Sequence, residues 1–248
     1  MLIDTHCHLD DDVYENDREE IIRGFEGLII NCGTNLDTSR NSIELSKKYK
    51  NIYATAGLHP NYANCANPNF YEEFNKILGN NNVVAIGECG LDFYRNLLEK
   101  NIQEDAFRKL IKIANQRNLP LIIHSRDAMD DTIRIIKEEK VKLGVLHSFS
   151  GTKEDITRVL DLGLYISITG VITFKNSKLK EIVSYIPKNR IMFETDSPYL
   201  TPEPFRGKRN IPNYVRYVYE KYADACGIKF EEAIEINYNN AKRFFAFS

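Results

Sequence analysis

Eight short apolar runs rich in β-formers recur along the chain at nearly even spacing. They are LIDTH (2–6), GLIINCG (27–33), IYATAGLH (52–59), NVVAIGE (82–88), LPLIIH (119–124), KLGVLH (142–147), LYISITG (164–170) and RIMFETD (190–196). Their ends fall at 6, 33, 59, 88, 124, 147, 170 and 196, so successive ends lie 27, 26, 29, 36, 23, 23 and 26 residues apart. That interval holds one strand and one crossover helix. The segments between them read as helices. NIQEDAFRKLIKIANQRN (101–118) places Ile102, Ala106, Leu110, Ile113 and Ala114 on one face. DTSRNSIELSKKYK (37–50) and TKEDITRVLDLG (152–163) open on residues suited to capping. Eight such units in 248 residues predict an α/β fold, a single (β/α)8 TIM-type barrel covering 1–248, with 212–248 supplying closing helices. A doubly wound open sheet is the competing architecture. It usually offers a G-x-G-x-x-G turn, which this chain lacks.

A barrel of this kind carries its chemistry at the C-terminal ends of its strands. His6 and His8 end the first run, two residues apart and therefore on one face of a strand. His59 ends the third, Glu88 the fourth, His124 the fifth, His147 the sixth and Asp196 the eighth. All five histidines of the chain thus fall at one rim. Imidazoles and carboxylates in one cluster suit Zn, Mn and related ions, and carboxylates with water suit Mg. The strand order predicts a site for two divalent cations. His6, His8 and Asp196 serve one ion, because strands 1 and 8 become neighbours on closure. His124 and His147 serve the other, and Glu88 bridges both from the opposite wall. Such a pair stands about 3.5–4 Å apart and clamps both the attacking and the leaving oxygen of an in-line displacement.

The net charge of −2 argues against a protein that coats nucleic acid by bulk electrostatics, although a local basic patch beside an acidic site is compatible with it. The five cysteines are scattered and lack any C-x-x-C, which points to free thiols in a reducing compartment. With neither a signal-peptide pattern nor an apolar run long enough to span a bilayer, the expected location is cytoplasmic. No membrane contact or obligate protein partner is implied, and a monomer is expected.

The motifs DTHCHLD, GLHP, IGECGLDFYR, IIHSRDA, HSFSG, ISITGVITFKN and ETDSPYLTPEPFRGKRN appear in this order. Together they resemble the TatD family of metal-dependent deoxyribonucleases, from residue 2 to at least Tyr214. The resemblance implies that His6, His8, Glu88, His124, His147 and Asp196 are metal ligands, with Glu88 shared. It also implies 3′→5′ trimming of DNA, in preference to RNA. The chain departs from the family at Cys89, where an aliphatic residue is more usual, and at Ile211, where an acidic one often stands. Strand alternation directs Cys89 away from the site as a small buried hydrophobe.

By resemblance and position, His59 contacts a substrate phosphate, and Arg126, two residues beyond His124, is the next candidate, followed by Arg95 and Lys175. The stretch FRGKRN (205–210) gathers Arg206, Lys208 and Arg209 into a possible clamp for a nucleic-acid backbone. Phe205 or Tyr199 is available there to stack on a base. Asp92 either orients a ligand histidine or caps the following helix. Asp196 is the expected general base, with the cations activating water and absorbing charge on the departing 3′ oxygen. The competing chemistry is an amidohydrolase or esterase on the same cage, such as a D-aminoacyl-tRNA deacylase. A binding protein that kept the barrel and lost catalysis is a second rival, disfavoured because every proposed ligand is intact.

Overall fold

The computed structural model describes residues 1–95 and 97–247. Its eight strands, all parallel, lie side by side in chain order. They are β1 (Leu2–Cys7), β2 (Gly27–Cys32), β3 (Ile52–Leu58), β4 (Val83–Asp92), β5 (Leu121–Arg126), β6 (Gly144–Leu146), β7 (Tyr165–Ile168) and β8 (Ile191–Phe193). Between them run α1 (Arg18–Arg23), α2 (Leu36–Lys48), α3 (Pro68–Ile77), α4 (Lys100–Arg117), α5 (Met129–Glu138), α6 (Lys153–Asp161) and α7 (Leu179–Ile182). After β8 come α8 (Val215–Cys226) and α9 (Phe230–Phe245). This is the TIM-type barrel that the spacing predicts. The starts of α2 and α6 are fixed by reciprocal caps, Asn35 with Thr38 and Thr152 with Asp155.

The barrel closes between β8 and β1 with little regular ladder. Cys7 bridges to Ser197, His8 N donates to Ser197 O at 2.8 Å, and Asp196 N donates to His6 O at 2.9 Å. Side chains complete the seam. Buried Asp4 accepts from the amide of Thr195 at 2.9 Å and from its hydroxyl at 2.6 Å. Asn237 of α9 accepts from Phe193 N and donates to Ile3 O, each at 3.0 Å. Its amide stands in for a peptide group between the two strands, so the last helix is part of the closure.

Inside the barrel the strands change character along their length. Ile30, Val84, Ile122, Val145, Tyr165 and Met192 pack in one apolar cluster with Phe244, Phe245 and Phe247 from the end of the chain. Two residues further along the same strands stand His124, His147, Ser167 and Glu194, on the same face by strand alternation. The aromatic plug therefore fills one end, and the polar residues line the other.

β4 and β5 stay paired furthest, through Gly90↔His124, Leu91↔Ser125 and Asp92↔Arg126. Gly90 makes that approach possible. It has φ +137, and a side chain there would strike the carbonyl of His124.

Candidate metal centre

Six of the rim residues expected from the sequence converge on one point. His6, Glu88 and His147 are 0, 4 and 4% exposed, so the centre lies at the floor of the barrel mouth. The oxygens of Glu88 face different partners. Oε2 lies 3.5 Å from Nε2 of His6 and 3.5 Å from Nε2 of His8. Oε1 lies 2.7 Å from Nδ1 of His124 and 2.9 Å from Nε2 of His147. Asp196 Oδ1 stands 3.6 Å from His6 Nε2 and 3.5 Å from His8 Nε2. The paired histidine nitrogens are 3.1 Å apart in each group.

The far side of the rings decides what faces inward. His8 Nδ1 is 2.8 Å from the carbonyl of Cys32, which can only accept, so this nitrogen carries the proton and Nε2 presents a lone pair. His147 Nδ1 is 3.3 Å from Glu194 Oε1, with the same consequence, and His124 Nε2 faces Asp92 Oδ2 at 3.4 Å without a hydrogen bond between them. His6 Nδ1 is buried without a hydrogen-bond partner. Lone pairs aimed at one another across 3.1 Å repel unless a proton or a cation lies between them. Four ligand atoms about 2.1 Å from one cation in a tetrahedral array stand about 3.4 Å apart. His6, His8, Glu88 and Asp196 show separations of 3.1 to 3.6 Å. That group fits a metal as it stands. The His124–His147–Glu88 group is more compact, at 2.7 to 3.1 Å, and opens by a few tenths of an ångström to hold one.

His59 is turned the other way. Its Nδ1 accepts from the amide of Asn61 at 3.1 Å, so the neutral ring carries its proton on Nε2, 3.6 Å from Glu88 Oε1. Burial lowers its pKa to about 3, against the opposing pull of Glu88. The ring therefore offers a neutral N–H donor where the other four offer acceptors or bound protons.

The electrostatics are those of a cation site. Burial pushes Glu88 up, but the charge of His147 and the hydrogen bonds of His124 and His147 hold it well below the usual carboxylate range. Burial likewise opposes His8, and Asp196 and Glu88 outweigh it to raise the imidazole to about 9. Asp196 is held low against its burial, first by its hydrogen bond with His8. It also adopts φ 55, the left-handed region that a short acidic residue tolerates.

Glu194 is the residue that the sequence reading missed. It accepts from Ser148 N at 2.8 Å and from Ser167 Oγ at 2.6 Å while facing His147. Its position two before Asp196 in FETD was the available signal. Asp92 proves to do two things. One oxygen faces His124, and the other accepts from Arg95 N at 3.0 Å. It does not cap α4, whose N-cap is Glu99.

The basic candidates separate. Arg126 is exposed at the end of β5, with its guanidinium 4.0 Å over the ring of Tyr94. Arg95, Lys175 and Lys208 are exposed on the surface. Arg206 lies over Phe174 and donates to Thr201 O at 3.1 Å. Two members of the expected clamp are otherwise engaged. Arg209 pairs with Asp17 and covers Tyr14, and Phe205 stacks on Tyr214 at 4.4 Å and 6°. Tyr199 remains 52% exposed, its ring 6.3 Å from that of His8. Ile211 packs against the main core, and Cys89 is buried with its sulfur 3.5 Å from Ile122 O.

The family described as TatD related DNase matches residues 3–246. The metal-dependent hydrolase YabD of Bacillus subtilis is 41% identical, over 99% of both chains. A relative named 3'-5' ssDNA/RNA exonuclease TatD, from Klebsiella pneumoniae, is 33% identical over 91% of this chain and 90% of its own. The crystal structure of YJJV, a TatD homologue from Escherichia coli, superposes with a TM-score of 0.91 at 28% identity, covering 100% of this chain and 98% of that one.

Proposed function

The chain belongs to the TatD-related DNase family of metal-dependent hydrolases, and from that premise we propose that it hydrolyses phosphodiester bonds of DNA, removing nucleotides from the 3′ end. The observation that carries the reading is Glu88, whose two oxygens each face a separate pair of histidines. In this reading His6, His8 and Asp196 would hold one divalent cation, His124 and His147 would hold a second, and Glu88 would contribute an oxygen to each side. Mg, Mn or Zn suits that donor set. When bound, such cations supply Lewis acidity toward a phosphate oxygen and acidify water.

The protein's own part follows from its geometry. Asp196, with a side chain 15% exposed against 5% for Glu88, is the more open of the two carboxylates and accepts the proton of the attacking water. His59 donates Nε2–H to a phosphate oxygen and fixes the phosphorus in line. Arg126, at the mouth, takes the adjoining phosphate, with Arg206 and Lys208 further out along the strand. Glu194 keeps the proton of His147 on its outer nitrogen, and with Asp92 beside His124 it makes the inward nitrogens more basic as ligands. Free cysteines throughout support a cytoplasmic setting, and no helix among the described residues is long and apolar enough to cross a membrane. The enzyme acts as a monomer on nucleic acid.

The test is DNA labelled at its 5′ end and incubated with stripped protein given Mg²⁺, Mn²⁺ or Zn²⁺. A ladder that shortens from the 3′ end, absent with Glu88→Ala, supports the reading. Hydrolysis of D-aminoacyl-tRNA without any such ladder overturns it.

A further inference from the structure

Arg18 opens α1 amid acidic neighbours, yet it makes no salt bridge among the described residues. Its donors go to the main chain. Nε donates to Leu9 O at 2.6 Å, and Nη2 donates to Asp10 O at 3.3 Å and to Asp11 O at 3.1 Å. These are the three residues that follow His8. The inner side of the same turn is held by Asn31, wholly buried near the end of β2. Its Oδ1 accepts from Leu9 N at 2.6 Å, and its Nδ2 donates to Asp10 Oδ1 at 2.8 Å. His8 O accepts from Asp11 N at 3.1 Å, and Asp11 O also takes Tyr14 N at 3.1 Å. The turn is thus gripped from both sides, and three of its four carbonyls, from His8 to Asp11, meet Arg18.

We propose that Arg18 is a positioning residue for the cation on the His6–His8–Asp196 side, acting through the turn that presents His8. This rests on the two-cation reading above. Nε and Nη2 lie along one edge of a rigid fork, so a guanidinium spans neighbouring carbonyls that the single point of an ammonium does not. Leu9 is wholly buried, so without Arg18 its carbonyl finds a donor only if the turn moves toward water. His8 moves with that turn. Its ring then leaves Cys32 O, 2.8 Å from Nδ1, and its Nε2 leaves Glu88 Oε2 and Asp196 Oδ1, each at 3.5 Å. His124 and His147 stand on β5 and just beyond β6, face the other oxygen of Glu88 and make no hydrogen bond to the turn among the described residues. The brace therefore serves one side of the centre and not the other.

The experiment titrates Zn²⁺ into the stripped full chain against a chelator and reads uptake, not turnover. Wild type takes two equivalents. Arg18→Ala weakens one of them about 10- to 100-fold, the cost of losing a partner that orients a ligand, and leaves the other unchanged. The affected equivalent is the one that His8→Ala removes, and adding Arg18→Ala to His8→Ala causes no further loss. A merely structural role would weaken the remaining equivalent as well. Arg18→Lys keeps the charge and the stem, loses the fork and shows the same selective weakening, which keeps the test open if Arg18→Ala does not fold. Wild-type uptake by Arg18→Ala or Arg18→Lys, or equal weakening of both equivalents, overturns the proposal. A single equivalent in wild type, weakened by Arg18→Ala, overturns the two-cation reading and leaves the positioning role standing.

Discussion

Glu194 stands behind His147. Its Oε1 lies 3.3 Å from the imidazole Nδ1, on the side of the ring away from Glu88. The carboxylate is itself held by Ser148 N and Ser167 Oγ, so it fixes both the tilt of the ring and the nitrogen that keeps the proton. Glu194→Gln retains the shape and removes the charge. Metal affinity at the His124–His147 side should fall about 10- to 100-fold, measured by competition with a chelator, while the fold persists by circular dichroism.

His59 is distinguished from the other four histidines by its bond from Asn61 N. If it serves as a donor to phosphate and not as a metal ligand, His59→Ala leaves the metal content per chain as it was. The same change lowers kcat/KM on DNA about tenfold or more, the magnitude of one charge-assisted hydrogen bond, roughly 1.5–3 kcal/mol. Metal analysis and steady-state kinetics on one preparation check both halves.

The metal-free protein should lose stability as the pH rises from about 6.5 to about 9. His8 is raised to about 9, and His124 and His147 are also raised, in each case by carboxylates that outweigh burial. A raised imidazole holds its proton more tightly folded than unfolded. Its contribution is complete below the unfolded value, 6.5, and is lost as pH passes the folded one. Asp4, raised to about 8 by burial, acts in the same direction. His6 and His59 are lowered, so their effect is already constant above 6.5. Metal loading replaces those protons, and melting curves with bound metal should lack the decline.

Asn237 ties β1 to β8 from outside the barrel. Asn237→Ala strands the amide of Phe193 in a buried seam, at a cost of about 1–3 kcal/mol, seen as a lower urea midpoint. Because the seam lies beside Asp196, metal affinity should drop with it.

The barrel was legible because parallel strands, buried on both faces, write themselves as apolar runs, and six of the eight runs ended on a histidine or a carboxylate that water or a ligand must satisfy. His6, His8 and Asp196 came together in the reading through closure alone. What could not be read was the far side of each ring. Nothing in LIIHS or VLHSF tells which nitrogen faces inward, since that depends on Asp92 and Glu194 from other strands. Asn237 was invisible for the same reason: a helical asparagine reads as solvated until the seam that it joins is seen. Phe205 and Arg209 looked available in FRGKRN, but their partners, Tyr214 and Asp17, are supplied by tertiary packing.

The central claim is that Glu88 joins two cations that act together on phosphodiester bonds. It is tested most directly by adding Mn²⁺ or Zn²⁺ in measured equivalents to stripped protein while following release of nucleotides from the 3′ end of single-stranded DNA. The account predicts little turnover until the first equivalent is bound and a rise to full activity as the second is added, with Glu88→Gln failing to reach it. Full activity at one equivalent, or equal turnover by the variant, contradicts it.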